Sequence, residues 1–260
     1  MTVSWTDVIK GFGRYLRIER SLSPNSVAAY LSDVRRLRDY MEENRGGAGP
    51  ASLSYGDLSG FVAHIAMSDD AVRTQARIIS GIRSFCSYMM IEKIITEDPS
   101  ALLEAPRTGM KLPEVLSVEE IDRMVASIDL SEPSGHRNRA IIETMYGCGL
   151  RVSELVSLRL TDIHRREGFV KITGKGNKQR LVPIGRVTLK EIDSYLERRM
   201  AMPVIADQNI IFLNRRGRKL SRVMIFNIIR ETADAAGIKK KIDRKSVVEG
   251  KSVNLGGRRI

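Results

Sequence analysis

The spacing of apolar residues constrains the fold of this chain more than any other feature. After Ser23 and Pro24, a good helix start, apolar residues recur at steps of three and four: Val27, Leu31, Val34, Leu37 and Met41. Strict alternation is found instead at residues 169–173, and residues 179–183 resemble a partner strand. Helical periodicity interrupted by one hairpin predicts a mainly α fold with a small β-sheet.

A break in this periodicity divides the chain. Asp98-Pro99, Pro106, Gly109 and Pro113 fall within one short stretch, and a capping box at Ser117 then opens a new helical region. Further apolar patterns predict helices at residues 71–92, 187–202 and 222–236, and a short strand at 210–213. We therefore predict a helical domain at residues 1–105, a linker at 106–116 and a mostly helical second domain at 117–242.

The charge of the chain favours a polyanionic partner. Its 260 residues include 43 Lys plus Arg against 31 Asp plus Glu, a net charge of +12. Nucleic acid is the first candidate and an anionic membrane surface the second, while a generally basic surface stays open. The 5% aromatic content argues against a base-stacking platform for single strands. No apolar run reaches the length of a membrane span, and the N-terminus does not resemble a signal peptide.

Histidines and cysteines give no sign of metal chemistry. His64, His136 and His164 lack the close spacing of a zinc site, so we predict no metal. Cys86 and Cys148 lie among apolar residues, which makes a disulfide framework improbable and a reducing cytoplasm the expected location.

One predicted helix face combines cations with small residues. Arg73 and Arg77 lie one turn apart, and the stripe continues through Ser80, Gly81 and Ser84. Such a face lets a backbone approach a phosphate chain. An ordinary solvated helix face would look the same, and on this pattern alone the solvated face is favoured.

Two further segments are candidates for anion chemistry. Gly147 and Gly149 break one helix, and Arg151 is predicted in the first turn of the next, where it can form an anion site or pair with Glu154. The hairpin tip at residues 174–180 places Lys175 between two glycines. It lacks Walker A spacing, and it can contact a phosphate or be a solubilising turn.

Together, in this order, the two segments resemble the tyrosine recombinase (phage integrase) family, most closely its Xer-type members. Residues 144–158 and 174–183 are similar to the family nearly residue for residue. Residues 22–30, 98–100 and 112–113 also fit, and the resemblance covers about residues 5–242. It implies a helical core-binding (DNA-binding) domain and an α+β catalytic domain, of which residues 117–242 are a part.

The resemblance also implies a mechanism. Family members clamp duplex DNA, and a tyrosine attacks a backbone phosphate to give a 3′-phosphotyrosyl link, so neither ATP nor metal is needed as a cofactor. Arg151 matches the catalytic arginine that neutralises the phosphate, and Lys175 matches the lysine that protonates the leaving oxygen. Glu154 is expected to orient Arg151.

Further implications concern DNA contacts, partners and biological role. The candidates for phosphate positioning are Arg35, Arg73, Arg77, Lys178 and Arg180. The implied partners are two DNA duplexes held by a recombinase tetramer, with a DNA translocase as a further candidate and no membrane. Chromosome dimer resolution at cell division is the favoured role, with mobile-element integration as the alternative.

The printed sequence departs from the family near its end. The family's His-x-x-Arg motif, a further His or Trp and the nucleophilic tyrosine follow residue 242, whereas the last histidine here is His164 and the last tyrosine is Tyr195. Neither Tyr146 nor Tyr195 is predicted to be the nucleophile. The chain as printed is therefore expected to bind DNA without cutting it. A helical DNA-binding regulator is a further alternative, although it does not explain Arg151 together with Lys175.

The last eighteen residues differ in character from the rest. Residues 243–260 lack periodicity, and their back-translation closely resembles a common sequencing adapter, so we expect a non-native tail. They hold five Lys or Arg and two acids, so their removal lowers the net charge from +12 to +9. The argument from charge is unchanged without them.

Overall fold

The computed structural model describes residues 4–68, 71–106 and 115–240. Contacts divide the chain into two compact units, Met1–Met110 and Lys111–Ile260, each described here by itself. The predicted linker spans this division, and most of it lies outside the described residues. The predicted tail at residues 243–260 also lies outside them, and the domain boundaries stay predictions.

The first unit contains four α-helices among its described residues. They are α1 (Trp5–Ile18), α2 (Pro24–Arg45), α3 (Tyr55–Met67) and α4 (Val72–Ile91). Ser23 accepts a hydrogen bond from the backbone N–H of Ser26, and Ser54 forms a reciprocal capping box with Asp57. The helix start predicted at Ser23 is confirmed.

Aromatic and aliphatic side chains from all four helices fill the core of this unit. Its largest fully buried side chains include Phe12, Leu37, Phe61 and Phe85. Burying each side chain of this size contributes about 1.5–3 kcal/mol. The rings of Trp5 and Phe85 stack, with their centroids 6.1 Å apart.

Gly81 corrects the predicted outer stripe of α4. It is buried against α2, where an added Cβ would lie 2.8 Å from Asp33 Oδ2 and 3.3 Å from Tyr30 Cδ1. The absence of a side chain therefore lets two helices of the protein approach each other. The prediction that Gly81 faces outward was wrong.

The second unit is helical with one small sheet. Its helices are α5 (Val118–Ala126), α6 (Gly135–Cys148), α7 (Val152–Leu155), α8 (Arg186–Met200) and α9 (Arg222–Ala235). Its antiparallel sheet has the order β1 (Ile163–His164), β2 (Phe169–Thr173) and β3 (Gln179–Pro183). The predicted hairpin is confirmed, with Lys171 opposite Leu181, and β1 is a short third strand that was not predicted. The mainly α fold class with a small sheet is confirmed.

Two local predictions in this unit need correction. Residues 210–213 form no regular strand but only two isolated bridges, Arg159 to Ile210 and Leu213 to Lys219. The apolar residues Ile211, Phe212 and Leu213 are buried in the core. Gly147 does not break α6, which continues to Cys148 and ends at Gly149 in the left-handed conformation.

Within the described residues, no helix is long and apolar enough to cross a membrane.

Candidate active site

Arg151 lies at the start of α7, in an extended conformation one residue before the helix. It is therefore the N-cap of this helix, whereas the sequence predicted Arg151 in the first turn. Its side chain is 72% exposed. Its backbone N–H donates to Glu154 Oε2 at 2.8 Å, and its Nη1 donates to Oε1 at 3.1 Å. The pairing of Arg151 with Glu154 is thus present, and most of the Arg151 side chain still faces solvent.

Glu154 also accepts hydrogen bonds from a second arginine, Arg180 on the hairpin. Arg180 Nη1 donates to Oε1 at 2.7 Å and Nη2 donates to Oε2 at 2.9 Å, a two-point contact across 26 positions of sequence. The Glu154 side chain is only 3% exposed. Burial alone would raise the pKa of this carboxyl. The hydrogen bonds from Arg180 and Arg151 outweigh burial and hold the pKa below its ordinary value.

The hairpin tip turns sharply next to this carboxylate. Gly174 donates to the carbonyl of Lys178 at 2.8 Å, and the turn Lys175–Asn177 follows it. Gly176 and Asn177 have positive φ angles of 73° and 59°, the left-handed region that glycine and asparagine tolerate best. A Cβ on Gly174 would lie 3.5 Å from Glu154 Oε1. The backbone that carries Lys175 therefore begins at van der Waals distance from the Glu154 carboxylate.

The five predicted phosphate contacts lie in different surroundings. Arg35, Arg73 and Lys178 are exposed. Arg180 donates hydrogen bonds to Glu154. Arg77 Nη1 donates to the buried Asp33 Oδ2 at 2.5 Å. Their role in binding DNA stays a prediction.

Asp33 gives Arg77 a structural role in the first unit. Its side chain is 1% exposed, and its Oδ1 is buried without a hydrogen-bond partner. Burial raises the pKa of Asp33, although the hydrogen bond and the charge of Arg77 oppose that rise. Replacing Arg77 would therefore leave a buried carboxyl without its main stabilising contact.

The two tyrosines of the second unit are buried. Tyr195 is 4% exposed, its Oη accepts a hydrogen bond from the Leu213 backbone N–H, and burial raises its pKa. Tyr146 is 9% exposed. Both belong to the hydrophobic core of the second unit. This placement agrees with excluding them as nucleophiles, which stays a prediction.

A basic turn that the sequence reading did not identify lies elsewhere in the second unit. Arg215 and Arg216 line a cleft of about 490 Å³ together with Arg137, whose pKa is lowered by burial. Asn214 shapes the turn by accepting hydrogen bonds from the backbone N–H groups of Arg216 and Arg218. The run of four cations at 215–219 was the available signal. Cations grouped in this way are suited to binding a chain of phosphates.

Among the residues that the structure describes, no group of three His, Cys, Asp or Glu side chains could hold a metal ion.

Comparisons with known proteins place this geometry in context. The family model described as "Phage integrase family" matches residues 114–246, and the model "Phage integrase, N-terminal SAM-like domain" matches residues 9–93. The chain is 35% identical over 239 residues to the tyrosine recombinase XerD of Listeria monocytogenes serotype 4b (strain F2365), covering 91% of this chain and 80% of the relative. It is 34% identical to that of Staphylococcus aureus (strain Mu50 / ATCC 700699), covering 90% and 80%.

Solved structures agree on the fold. The XerH site-specific recombinase bound to a difH substrate, in a pre-cleavage complex, superposes with a TM-score of 0.74 at 18% identity, covering 98% of this chain and 87% of that one. A lambda integrase (75-356) dimer bound to a COC′ core site gives a TM-score of 0.73 at 14% identity, covering 96% and 89%. Together with the sequence matches, these findings show that the chain belongs to the tyrosine recombinase (phage integrase) family.

Proposed function

We propose that this protein is a site-specific DNA recombinase that cuts and rejoins duplex DNA through a 3′-phosphotyrosyl intermediate. The observation that carries the proposal is the exposed Arg151 guanidinium, held by the buried Glu154 beside the hairpin of Lys175. The resemblance of the flanking motifs and the 35% identity to a named tyrosine recombinase support it.

In this proposal each residue has a distinct role at the reacting phosphate. A guanidinium has five N–H donors, and one of them reaches Glu154, which leaves Arg151 donors for the phosphate oxygens as negative charge develops there. Lys175 protonates the leaving 5′-oxygen. The family's attacking tyrosine follows residue 242, where the printed sequence has no tyrosine, so the printed chain binds DNA without cutting it.

The proposed partners are duplex DNA and further recombinase subunits. The solved relatives include a lambda integrase tetramer bound to a Holliday junction, which supports a tetramer on two duplexes. We propose chromosome dimer resolution as the biological role because the named relatives at 34–35% identity are XerD recombinases. Action on chromosomal DNA, together with two buried cysteine thiols, supports a cytoplasmic location.

Selection of bound sequences from a random duplex library tests this function. We expect the retained duplexes to converge on one motif, with an affinity that falls as salt rises by about 0.9 in log–log slope per phosphate contacted. The Arg151→Gln variant should bind the selected motif more weakly. Failure of the library to converge on a motif would contradict site-specific recognition and favour a nonspecific basic surface.

A further inference from the structure

The Arg180 guanidinium makes a bidentate contact with the carboxylate of Glu154. Its Nη1 and Nη2 atoms both donate to Glu154, so one of the edges through which a guanidinium can bind a phosphate at two points is already occupied. Arg151 contacts the same carboxylate through one side-chain nitrogen and remains 72% exposed, whereas the Arg180 side chain is 39% exposed. The two arginines therefore differ in what they offer to DNA.

The Glu154 carboxylate is saturated by these contacts. Each of its oxygens accepts one hydrogen bond from Arg180 and one from Arg151, at distances from 2.7 to 3.1 Å. Two cations around one buried anion leave a net positive charge at the surface. Without Arg180, the carboxylate would keep only the contacts of Arg151 and would draw that guanidinium toward itself.

The contact also joins two separate parts of the proposed site. Arg180 lies on β3, while Glu154 lies on α7, which Arg151 caps. Gly174, the residue before Lys175, lies 3.5 Å from Glu154 Oε1 and 3.7 Å from Arg180 Nη1, measured from its ideal Cβ position. The hairpin is thus fastened to the Arg151 segment at the point where the Lys175 tip begins.

We propose that Arg180 is a positioning residue, which fixes Arg151 for phosphate binding through Glu154 and does not itself contact the DNA phosphate. This inference rests on the proposed function and revises the expectation that Arg180 binds phosphate directly. The same contact sets the hairpin of Lys175 against the Arg151 segment.

A double-mutant cycle on DNA binding tests the inference. The variants Arg151→Gln, Arg180→Gln and their combination are compared on a selected duplex, after circular dichroism has shown that each is folded. Each single change should weaken binding about tenfold, the size expected for one charge-assisted contact. If Arg180 acts through Arg151, the double variant should bind no more weakly than Arg151→Gln alone.

Lys178→Gln is the matched control because it removes a cation from the same hairpin, and Lys178 is exposed. Its effect should add to that of Arg151→Gln. Arg180→Lys keeps the charge but cannot make the two-point contact, so it should fail to restore binding. Full restoration by Arg180→Lys, or additive losses in the Arg151 and Arg180 double variant, would overturn the inference.

NMR provides a readout that does not depend on DNA. In Arg180→Gln the carboxyl pKa of Glu154 should rise, and the heteronuclear NOE of Arg151 Nε should fall as that side chain loses its fixed position. An unchanged Arg151 signal would overturn the inference while leaving the recombinase proposal intact. If the wild-type chain binds no DNA while Arg180→Gln shows these NMR changes, the proposed function is overturned and the coupling between Arg180 and Arg151 is retained.

Discussion

Replacement of Glu154 by glutamine should destabilise the second unit by about 2–4 kcal/mol at neutral pH. The carboxylate accepts four hydrogen bonds, two from Arg180 and two from Arg151. A glutamine amide keeps one accepting oxygen and turns an NH2 group toward N–H donors, so two of the four are lost. Hydrogen bonds to charged groups contribute about 1.5–3 kcal/mol each, and the lower part of the range applies because both guanidinium groups can reach water.

The pH dependence of this loss has a defined sign. The pKa of Glu154 is lower in the folded protein than its ordinary value of 4.5. Its stabilising contribution is therefore present above that ordinary value and is lost as pH falls through the lowered pKa. The difference in unfolding free energy between wild type and Glu154→Gln should be largest near pH 7 and should shrink on acidification.

Urea unfolding followed by circular dichroism measures this difference, and the chain contains its own reference. Trp5 is the sole tryptophan and lies in the first unit, so its fluorescence transition should not change. Glu197→Gln, an exposed site on α8, should shift the second unit by less than about 0.5 kcal/mol. Equal stability of Glu154→Gln and wild type at pH 7, or a loss independent of pH, would refute the reasoning.

Two further substitutions and one labelling experiment test other parts of the structure. Arg199→Met should cost about 2–4 kcal/mol in urea unfolding followed by circular dichroism, because Arg199 Nη2 donates to the carbonyls of Gln208 and Ile210; wild-type stability would contradict this. Gly81→Ala should destabilise the first unit by about 1–3 kcal/mol through contact with α2, so an unchanged tryptophan transition would argue against that packing. Cys86, fully buried with a pKa raised to about 12, should resist iodoacetamide near neutral pH until the protein unfolds; intact-mass spectrometry that shows rapid labelling of the native chain would contradict its burial.

The elements predicted correctly depend on residues close together in the chain. Ser23 followed by Pro24, the capping box at Ser117 and the glycine-rich turn after residue 173 each set their structure within a few positions. The pairing of Arg151 with Glu154 is likewise local, because three positions separate them. Such features can be read from sequence with little knowledge of the tertiary fold.

The features that were missed or wrong depend on distant partners. Nothing near Gly81 in the sequence shows that Asp33 packs against it, and nothing near Arg180 shows that its carboxylate partner is 26 residues earlier. Ile211, Phe212 and Leu213 are buried, and burial gives a short apolar run the same composition as a strand. Only the tertiary structure distinguishes Arg151, whose side chain is mostly exposed, from Arg180, whose guanidinium makes a two-point contact with a buried carboxylate.

A nicked duplex that carries the selected motif provides the most direct test of the account, since it traps any covalent intermediate. The same binding reaction is run on a native gel and on a denaturing gel. We predict a complex on the native gel that weakens with salt and with Arg151→Gln, and no covalent band from this 260-residue chain. A covalent protein–DNA band would contradict the prediction that none of the tyrosines in this chain is the nucleophile. Absence of any complex would contradict the recombinase function itself.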